Sequence, residues 1–173
     1  MFGFRSIITI FIFSSFLFYG QFLSSKRNRY FNFEQEFILE HLPPVTFNFV
    51  KKDNLSGSKG SFFHFWATWC GPCEKELPEF IKFIDSFNGK FKGVLVASKD
   101  EKSKVVRYLK RFNLGTNFII AHDPNGELLK NFGSLRVPET FLFDSNGLFF
   151  KKYVGPQDWL NPFFFQNTNF LFN

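Results

Sequence analysis

The chain has 173 residues, of which 45% are hydrophobic and 21% are charged, and its formal net charge is +6. This length suits one domain of ordinary size with an extension, and the composition excludes disorder as the default state because it supplies enough apolar surface for a core. The positive charge is compatible with an anionic partner, but the sequence matches no nucleic-acid-binding motif, and we predict no nucleic-acid partner.

The chain begins with a hydrophobic segment. Arg5 precedes an apolar stretch over residues 7–23, which is typical of an export signal or a membrane anchor. Its length is marginal for a spanning helix, which needs about 20 apolar residues, and long for the core of a signal peptide. A cleavage site after Gly20 would have Phe18 in a position that signal peptidase normally requires to be small. We therefore predict an uncleaved signal-anchor over residues 1–25, with a cleaved signal peptide as the alternative.

The charges that flank this segment favour a cytoplasmic domain. Three basic residues follow it, Lys26, Arg27 and Arg29, whereas only Arg5 and the amino terminus precede it. The positive-inside tendency would keep the more basic side, and with it the domain that follows, in the cytoplasm.

The rest of the chain alternates predicted strands and helices. A linker of mixed composition over residues 26–40 leads into the domain. Short apolar runs predict strands at 47–50, 61–66, 93–97, 118–121, 140–143 and 148–154. The Asn-Gly pair within residues 144–147 predicts a hairpin between the last two strands. Strands and helices alternate in the first part of the domain, and an antiparallel hairpin ends it. This order predicts an α/β fold with a mixed sheet and helices on its faces.

Two helices are predicted between these strands, and a third segment is left with two alternatives. The first begins at Cys70, presents apolar residues at helical spacing and ends at Asn88-Gly89. The second begins at a capping box formed by Ser98 and Glu101 and ends at Gly115. Its basic residues are typical of a solvated helix face, with an anion-binding patch as the alternative. Residues 127–132 form either a short helix or an extended connection.

Both cysteines of the chain lie in the stretch WCGPC. Cys70 is predicted at the first turn of a helix, where free N–H groups and the helix dipole favour an anion, so we expect the pKa of its thiol to fall from about 8.5 towards neutrality. Cys73 lies one turn further along, within reach to resolve a mixed disulfide. Gly71 permits a tight backbone, and Pro72 suits the first helical turn.

The longer stretch WATWCGPCEKELPEF, residues 66–80, resembles the active-site segment of the thioredoxin superfamily. Behind a hydrophobic segment, it is similar to the TlpA/ResA-type exported or membrane-anchored thiol-disulfide oxidoreductases. The resemblance covers about residues 41–160 and implies a thioredoxin-like fold, a mixed central sheet flanked by helices. Pro78 matches the proline that kinks the active-site helix of that superfamily. Gly155 and Trp159 resemble the family's closing segment.

A second signature is VPET, residues 137–140, just before a predicted strand. By the resemblance, Pro138 is a cis-proline that faces the two cysteines and lines the groove where a substrate chain docks, since only X–Pro bonds adopt the cis form at low cost. An ordinary trans proline is the alternative. The resemblance implies a substrate-binding surface formed by Trp66, Trp69, Gly71, Pro72, Val137 and Pro138.

Two further residues are candidates for acid–base roles. Thioredoxins carry a buried Asp six residues before the first cysteine, where this chain has His64. An imidazole near Cys73 could shuttle its proton, or could be a strand histidine held by one hydrogen bond. Glu76 matches an acidic position of the TlpA/ResA-type proteins that is taken to tune or deprotonate the thiols; the alternative is an exposed helix glutamate. We thus predict catalytic roles for Cys70, Cys73, Glu76 and His64.

The predicted function is reduction of disulfides in extracytoplasmic proteins by exchange at Cys70 and Cys73. The Gly-Pro dipeptide between them is that of thioredoxin, whose potential of about −270 mV favours reduction. The resemblance implies a domain outside the cytoplasmic membrane, against the flanking charges described above. It also implies apocytochrome c as a substrate class and a membrane thiol reductase as electron donor, with no organic cofactor or metal.

Other functions stay open on the sequence alone. The same exchange could run towards oxidation or isomerisation, or a cytosolic general thioredoxin could carry the same motif. A thioredoxin-like groove could also hold unfolded clients without any redox chemistry. A zinc site would need about four ligands and would have to recruit two of His41, His64 and His122. The Phe-rich tail over residues 161–173 has no predicted role.

Overall fold

The computed structural model describes Leu55 and residues 57–171. The hydrophobic segment and linker predicted over residues 1–40, and the first predicted strand at 47–50, lie outside the described residues. Among the helices that are described, each is too short or too polar to cross a lipid bilayer.

The described residues form five strands and four helices. In chain order these are β1 (Gly60–Trp66), α1 (Gly71–Asp85), β2 (Phe91–Ser98), α2 (Lys102–Leu109), β3 (Phe118–Asp123), α3 (Glu127–Asn131), β4 (Glu139–Asp144), β5 (Phe149–Val154) and α4 (Pro162–Leu171). The five strands predicted after residue 60 are confirmed, and the segment after β3 adopts the helical alternative.

The strands form one sheet in the order β3-β2-β1-β4-β5. β1 pairs in parallel with β2 and antiparallel with β4, while β2 pairs in parallel with β3 and β4 antiparallel with β5. The predicted mixed sheet is confirmed. Because β1 lies at the centre, the loop that follows it and carries the cysteines projects from the middle of one end of the sheet.

β1 is the centre of the core, and all seven of its residues are buried. Successive side chains of a strand point to opposite faces. On one face, Phe62 lies 5.4 Å from Phe83 of α1 between ring centroids. On the other face, Phe63 lies 5.4 Å from Phe132, which directly follows α3. Helices therefore cover both faces of the sheet, as predicted.

The end of α1 differs slightly from the prediction. The helix ends at Asp85, and a turn follows in which Asn88 and Gly89 have φ angles of 51° and 80°. The left-handed region suits Gly and Asn at a chain reversal after a helix. The two residues predicted as the helix end thus form the turn after it.

The predicted capping box at the start of α2 is wrong. Glu101 is the N-cap residue, and its side chain makes no capping hydrogen bond. The Ser98 hydroxyl instead donates to Oδ2 of Asp123 on β3, at 3.1 Å. The Ser98 hydroxyl is therefore hydrogen-bonded to a carboxylate of the neighbouring strand, and it does not cap the helix as the local sequence pattern predicts. The helix also ends earlier than predicted, at Leu109 and not near Gly115.

The hairpin between β4 and β5 is confirmed, but its turn differs from the expected one. Only Gly147 has a positive φ, of 79°. The Asp144 carboxylate accepts hydrogen bonds from the N–H groups of Asn146 and Leu148, at 2.9 and 2.8 Å. The Asp side chain therefore organises a four-residue loop, as Asp commonly does in turns.

The Phe-rich tail forms α4 and contacts the core. Phe165 lies 5.2 Å from the Phe83 ring of α1, and Phe164 lies 5.0 Å from Trp159, which is fully buried. Aromatic pairs at these distances and tilted angles are favourable. This part of the tail packs against the domain, while Phe163 remains exposed.

Candidate active site

The two cysteines form a disulfide at the start of α1. Their Cα atoms lie 5.2 Å apart. Cys70 is the N-cap residue of the helix, and its Sγ accepts a hydrogen bond from the N–H of Cys73 at 3.3 Å. Cys73 is fully buried, whereas 6% of Cys70 is exposed. Cys70 is therefore the more accessible of the two cysteines, and the helix N-terminus favours negative charge on its sulfur.

The segment before β4 lies against this disulfide. The carbonyl oxygen of Val137 is 3.8 Å from Sγ of Cys70, and the Val137–Pro138 peptide bond is cis, as predicted. The Pro138 carbonyl accepts the N–H of Gly155, at 3.0 Å. β4 pairs with β1, so the sheet itself holds this segment beside the cysteines.

The two tryptophans of the motif have different environments. Trp69 is 61% exposed, and its indole N–H donates to the Lys99 carbonyl oxygen at 2.8 Å. Trp66 has no exposed surface and packs on Tyr108 of α2. The prediction that Trp66 forms part of the substrate-binding surface is therefore wrong for this conformation, because a residue at the end of the central strand is covered by helices. Gly71 and Pro72 are exposed.

His64 and Glu76 meet beneath the active-site helix. Nε2 of His64 lies 3.5 Å from Oε1 of Glu76, and both side chains are buried. Nδ1 of His64 is hydrogen-bonded to Oγ1 of Thr140 on β4, at 2.8 Å. The imidazole also stacks on the Phe80 ring, with centroids 4.4 Å apart. Glu76 is thus not the exposed helix glutamate of the alternative prediction.

Burial determines the charge states of this pair. It lowers the pKa of His64 to about 3, so the imidazole is neutral at neutral pH. Burial raises the pKa of Glu76 to about 7, and the nearby Glu79 carboxylate adds to this, while the Gln157 N–H and the Trp159 side chain act in the opposite direction. The Gln157 N–H donates to Oε2 of Glu76 at 2.6 Å. Glu76 can therefore exchange a proton near neutral pH.

Replacing Glu76 by glutamine is expected to remove a pH dependence of stability. The folded protein holds the Glu76 proton up to a pKa of about 7, above the usual value of 4.5. The unfolded chain releases that proton first, so the free energy of unfolding falls as pH rises between these values, by roughly 2 kcal/mol after allowing for partial solvation. The measurement is urea unfolding of oxidised wild type and Glu76→Gln at pH 5 and pH 8.

The matched control for this experiment is Glu79→Gln, one turn along the same helix. Glu79 is half-buried, and its carboxylate contributes less than burial does to the raised pKa of Glu76, so its substitution should keep most of the difference between pH 5 and pH 8. Parallel pH profiles for wild type and Glu76→Gln would show that Glu76 is ionised in the folded protein throughout this range.

Three residues of the site were not found from the sequence. Thr140 and Gln157 are the hydrogen-bond partners of His64 and Glu76, and Lys99 fixes the Trp69 indole. Thr140 lay within the VPET signature and Gln157 follows Gly155 by two residues, but no periodicity marks either as a partner of α1 or β1. The described residues include no group of three His, Cys, Asp or Glu side chains that could hold a metal ion.

Sequence comparisons match this chain to proteins of known families. The Redoxin family profile matches residues 45–162. The chain is also similar to the thiol-disulfide oxidoreductase ResA of Bacillus thuringiensis subsp. konkukian (strain 97-27), with 34% identity over 100 residues. The matched stretch is 57% of this chain and 57% of that relative, so the similarity spans less than two thirds of the relative's length.

Solved structures show the same fold. StoA from Bacillus subtilis is 32% identical, with a TM-score of 0.50, and the match covers 60% of this chain and 80% of that chain. The pneumococcal exposed lipoprotein thioredoxin Etrx1 of Streptococcus pneumoniae strain TIGR4 gives a TM-score of 0.57 and covers 70% and 92% of the two chains. At 19% identity the second likeness shows the fold alone.

Proposed function

The chain belongs to the Redoxin family, and from that premise we propose that it is a thiol-disulfide oxidoreductase in which Cys70 and Cys73 cycle between dithiol and disulfide. The observation that carries this proposal is the disulfide itself, which lies at a helix N-terminus. Cys70 is slightly exposed and lies beside Val137, whereas Cys73 is fully buried. A partly exposed attacking sulfur and a shielded resolving sulfur are what two-step exchange requires.

The proposed reaction starts from the reduced protein. The Cys70 thiolate attacks one sulfur of a substrate disulfide, forms a mixed disulfide and releases the other substrate sulfur, which takes up a proton. Cys73 then loses its proton and attacks Sγ of Cys70, which releases the second substrate thiol. The substrate gains two electrons and two protons, and the protein is left with the Cys70–Cys73 disulfide seen here.

We propose that Glu76 accepts the proton of Cys73. Cys73 is fully buried and has no direct path to water, and Glu76 lies one turn further along the buried side of α1. A carboxyl group with a pKa of about 7 is partly ionised at neutral pH and can act as the base.

We assign His64 the role of holding Glu76 in both protonation states. In one tautomer Nδ1 donates to Thr140, and Nε2 faces a protonated Glu76 as an acceptor. In the other tautomer Nε2 faces an ionised Glu76 as a donor, and Nδ1 accepts from the Thr140 hydroxyl. The hydrogen bond between Nδ1 and Thr140, at 2.8 Å, suits either tautomer. The contact between Nε2 and Oε1 of Glu76, at 3.5 Å, would shorten to a hydrogen bond in both proposed states. A neutral imidazole can therefore form a hydrogen bond with Glu76 in both states without adding a buried charge.

The proposed setting is the extracytoplasmic side of the cytoplasmic membrane. The hydrophobic stretch at 7–23 would anchor the chain or direct its export. Disulfides persist on that side, so a reductant working there needs electrons from a membrane thiol reductase. We propose disulfide-bearing proteins as substrates, apocytochrome c among them, with reduction as the direction because Gly71 and Pro72 form the thioredoxin dipeptide.

The reduction potential tests both activity and direction. We expect the Cys70–Cys73 couple of the full chain, kept in detergent and titrated against a thiol buffer, to lie at or below about −250 mV, near the value of thioredoxin. A potential above about −180 mV would make the protein an oxidant or isomerase. In parallel, Cys70→Ser should lose all reduction of a disulfide substrate. A client-holding protein without redox chemistry would keep its activity in Cys70→Ser.

A further inference from the structure

A groove runs between α1 and α2 beside the active-site disulfide. It consists of two adjoining hollows of about 320 and 510 Å³, which share Glu74, Tyr108 and Arg111 as lining residues. Thr68 lines the first hollow and Gly71 the second. Gly71 directly follows Cys70 in the chain and Thr68 precedes it by two residues, so the groove begins close to the loop that carries the disulfide.

The floor of this groove is preformed. Tyr108 is buried, and its hydroxyl donates to the Glu74 carbonyl oxygen at 3.2 Å, which ties α2 to α1. The Arg111 guanidinium stacks on the Tyr108 ring at 3.8 Å from its centroid and lies 3.8 Å from Oε1 of Glu74. The groove therefore presents an aromatic and guanidinium surface that contacts within the protein already hold in place.

The charges that line the groove are unbalanced. Four cations, Lys75, Lys104, Arg107 and Arg111, face a single acidic lining residue, Glu74. Glu74 lies near Arg111, and Lys104 is paired with Glu101 at 2.8 Å. Lys75 on the α1 wall and Arg107 on the α2 wall have no ion-pair partner within the described part of the chain. The groove thus carries two uncompensated positive charges on opposite walls.

We propose that this groove binds an acidic segment of the protein substrate, next to the disulfide that Cys70 attacks. The proposal rests on the proposed oxidoreductase function and adds a preference to it. A carboxylate-rich segment would neutralise Lys75 and Arg107, whereas a basic segment would be repelled, and both effects fall off as salt screens the charges. The sequence favours a solvated role for the basic face of α2. In this proposal, that face forms one wall of a docking surface.

The test compares three synthetic peptides that contain the same intramolecular disulfide and differ only in flanking glutamates, glutamines or lysines. The readout is the second-order rate constant for oxidation of the reduced full chain in detergent, and in particular the ratio between the acidic and the basic peptide. A change in thiol reactivity alters both rate constants alike, so the ratio isolates docking. The variant is Lys75→Gln/Arg107→Gln, and the matched control is Lys82→Gln/Lys90→Gln, two exposed cations towards the other end of α1.

We expect the wild type to prefer the acidic peptide, and the groove variant to lower that preference by about fivefold in low salt, since each exposed charge pair contributes up to about 1 kcal/mol. The control variant should change the ratio by less than twofold, and 0.5 M salt should abolish the preference. Equal rates for all three peptides, or an equal loss in the control variant, would overturn the groove proposal alone. Failure of the reduced wild type to react with any of the peptides would overturn the oxidoreductase function with it.

Discussion

Cys73→Ser is expected to stop the reaction at the mixed disulfide and to lower turnover by roughly a thousandfold or more, since catalytic groups that act as a unit fail together. Cys70 remains able to attack, because it is the partly exposed sulfur at the helix N-terminus. No sulfur is then left to release the substrate. The measurement is intact mass of the protein after mixing with a disulfide peptide, without added thiols, together with steady-state turnover.

The control for this experiment is Cys70→Ser, which should form no adduct and show no turnover. Cys73 is fully buried and cannot replace Cys70 as the attacking group. An adduct of equal yield on Cys70→Ser, or turnover of Cys73→Ser within tenfold of the wild type, would mean that the two sulfurs are not divided into attacking and resolving roles. Thermal unfolding of each variant distinguishes lost chemistry from lost structure.

Trp159→Ala is expected to lower the free energy of unfolding by about 3–5 kcal/mol, the range for truncating a large buried aromatic side chain. Trp159 has no exposed surface, and its ring lies within 5.5 Å of Phe80, Phe83, Tyr153 and Phe164 between centroids. It therefore joins α1, β5 and α4 in one aromatic cluster. The measurement is urea unfolding of the oxidised protein.

Trp69→Ala is the matched control, because it removes the same side chain from an exposed position. Trp69 is 61% exposed and makes one hydrogen bond to Lys99, so its loss should cost about 1 kcal/mol or less. If Trp159→Ala were no more destabilising than Trp69→Ala, the aromatic cluster would not contribute to stability as its burial indicates.

The fold was predictable because local signals agree with it. The apolar spacing after Cys70 predicts α1, and the Asn-Gly pair before β5 predicts the hairpin. The incorrect predictions concern side chains whose hydrogen-bond partners are distant in the sequence. Ser98 was assigned to a helix cap, but its strand neighbour Asp123 lies within hydrogen-bonding distance. A local sequence pattern does not reveal a hydrogen-bond partner that is 25 residues away in the chain.

The site was predictable only in part, for the same reason. The sequence identifies Cys70 and Cys73 directly, and Glu76 by its position one turn later. The contact between His64 and Glu76 depends on how α1 crosses β1, which a motif does not specify. Thr140 and Gln157 are added to this cluster by strand pairing and by the segment after β5. Burial, which sets the charge state of both His64 and Glu76, likewise becomes visible only in three dimensions.

The strand order leaves β5 at an outer edge, where no described strand pairs with its free side. None of its six residues is fully buried, and Phe149 and Phe150 are 41% and 44% exposed. An exposed strand at the edge of a sheet can act as a template for adding a strand from a second chain. Lys151 follows these aromatic residues directly and is exposed, whereas Lys152 is paired with Glu139 at 2.6 Å. A lysine on an exposed edge strand disfavours pairing with a second copy, so Lys151 opposes self-association at this edge although it has no part in the proposed thiol chemistry.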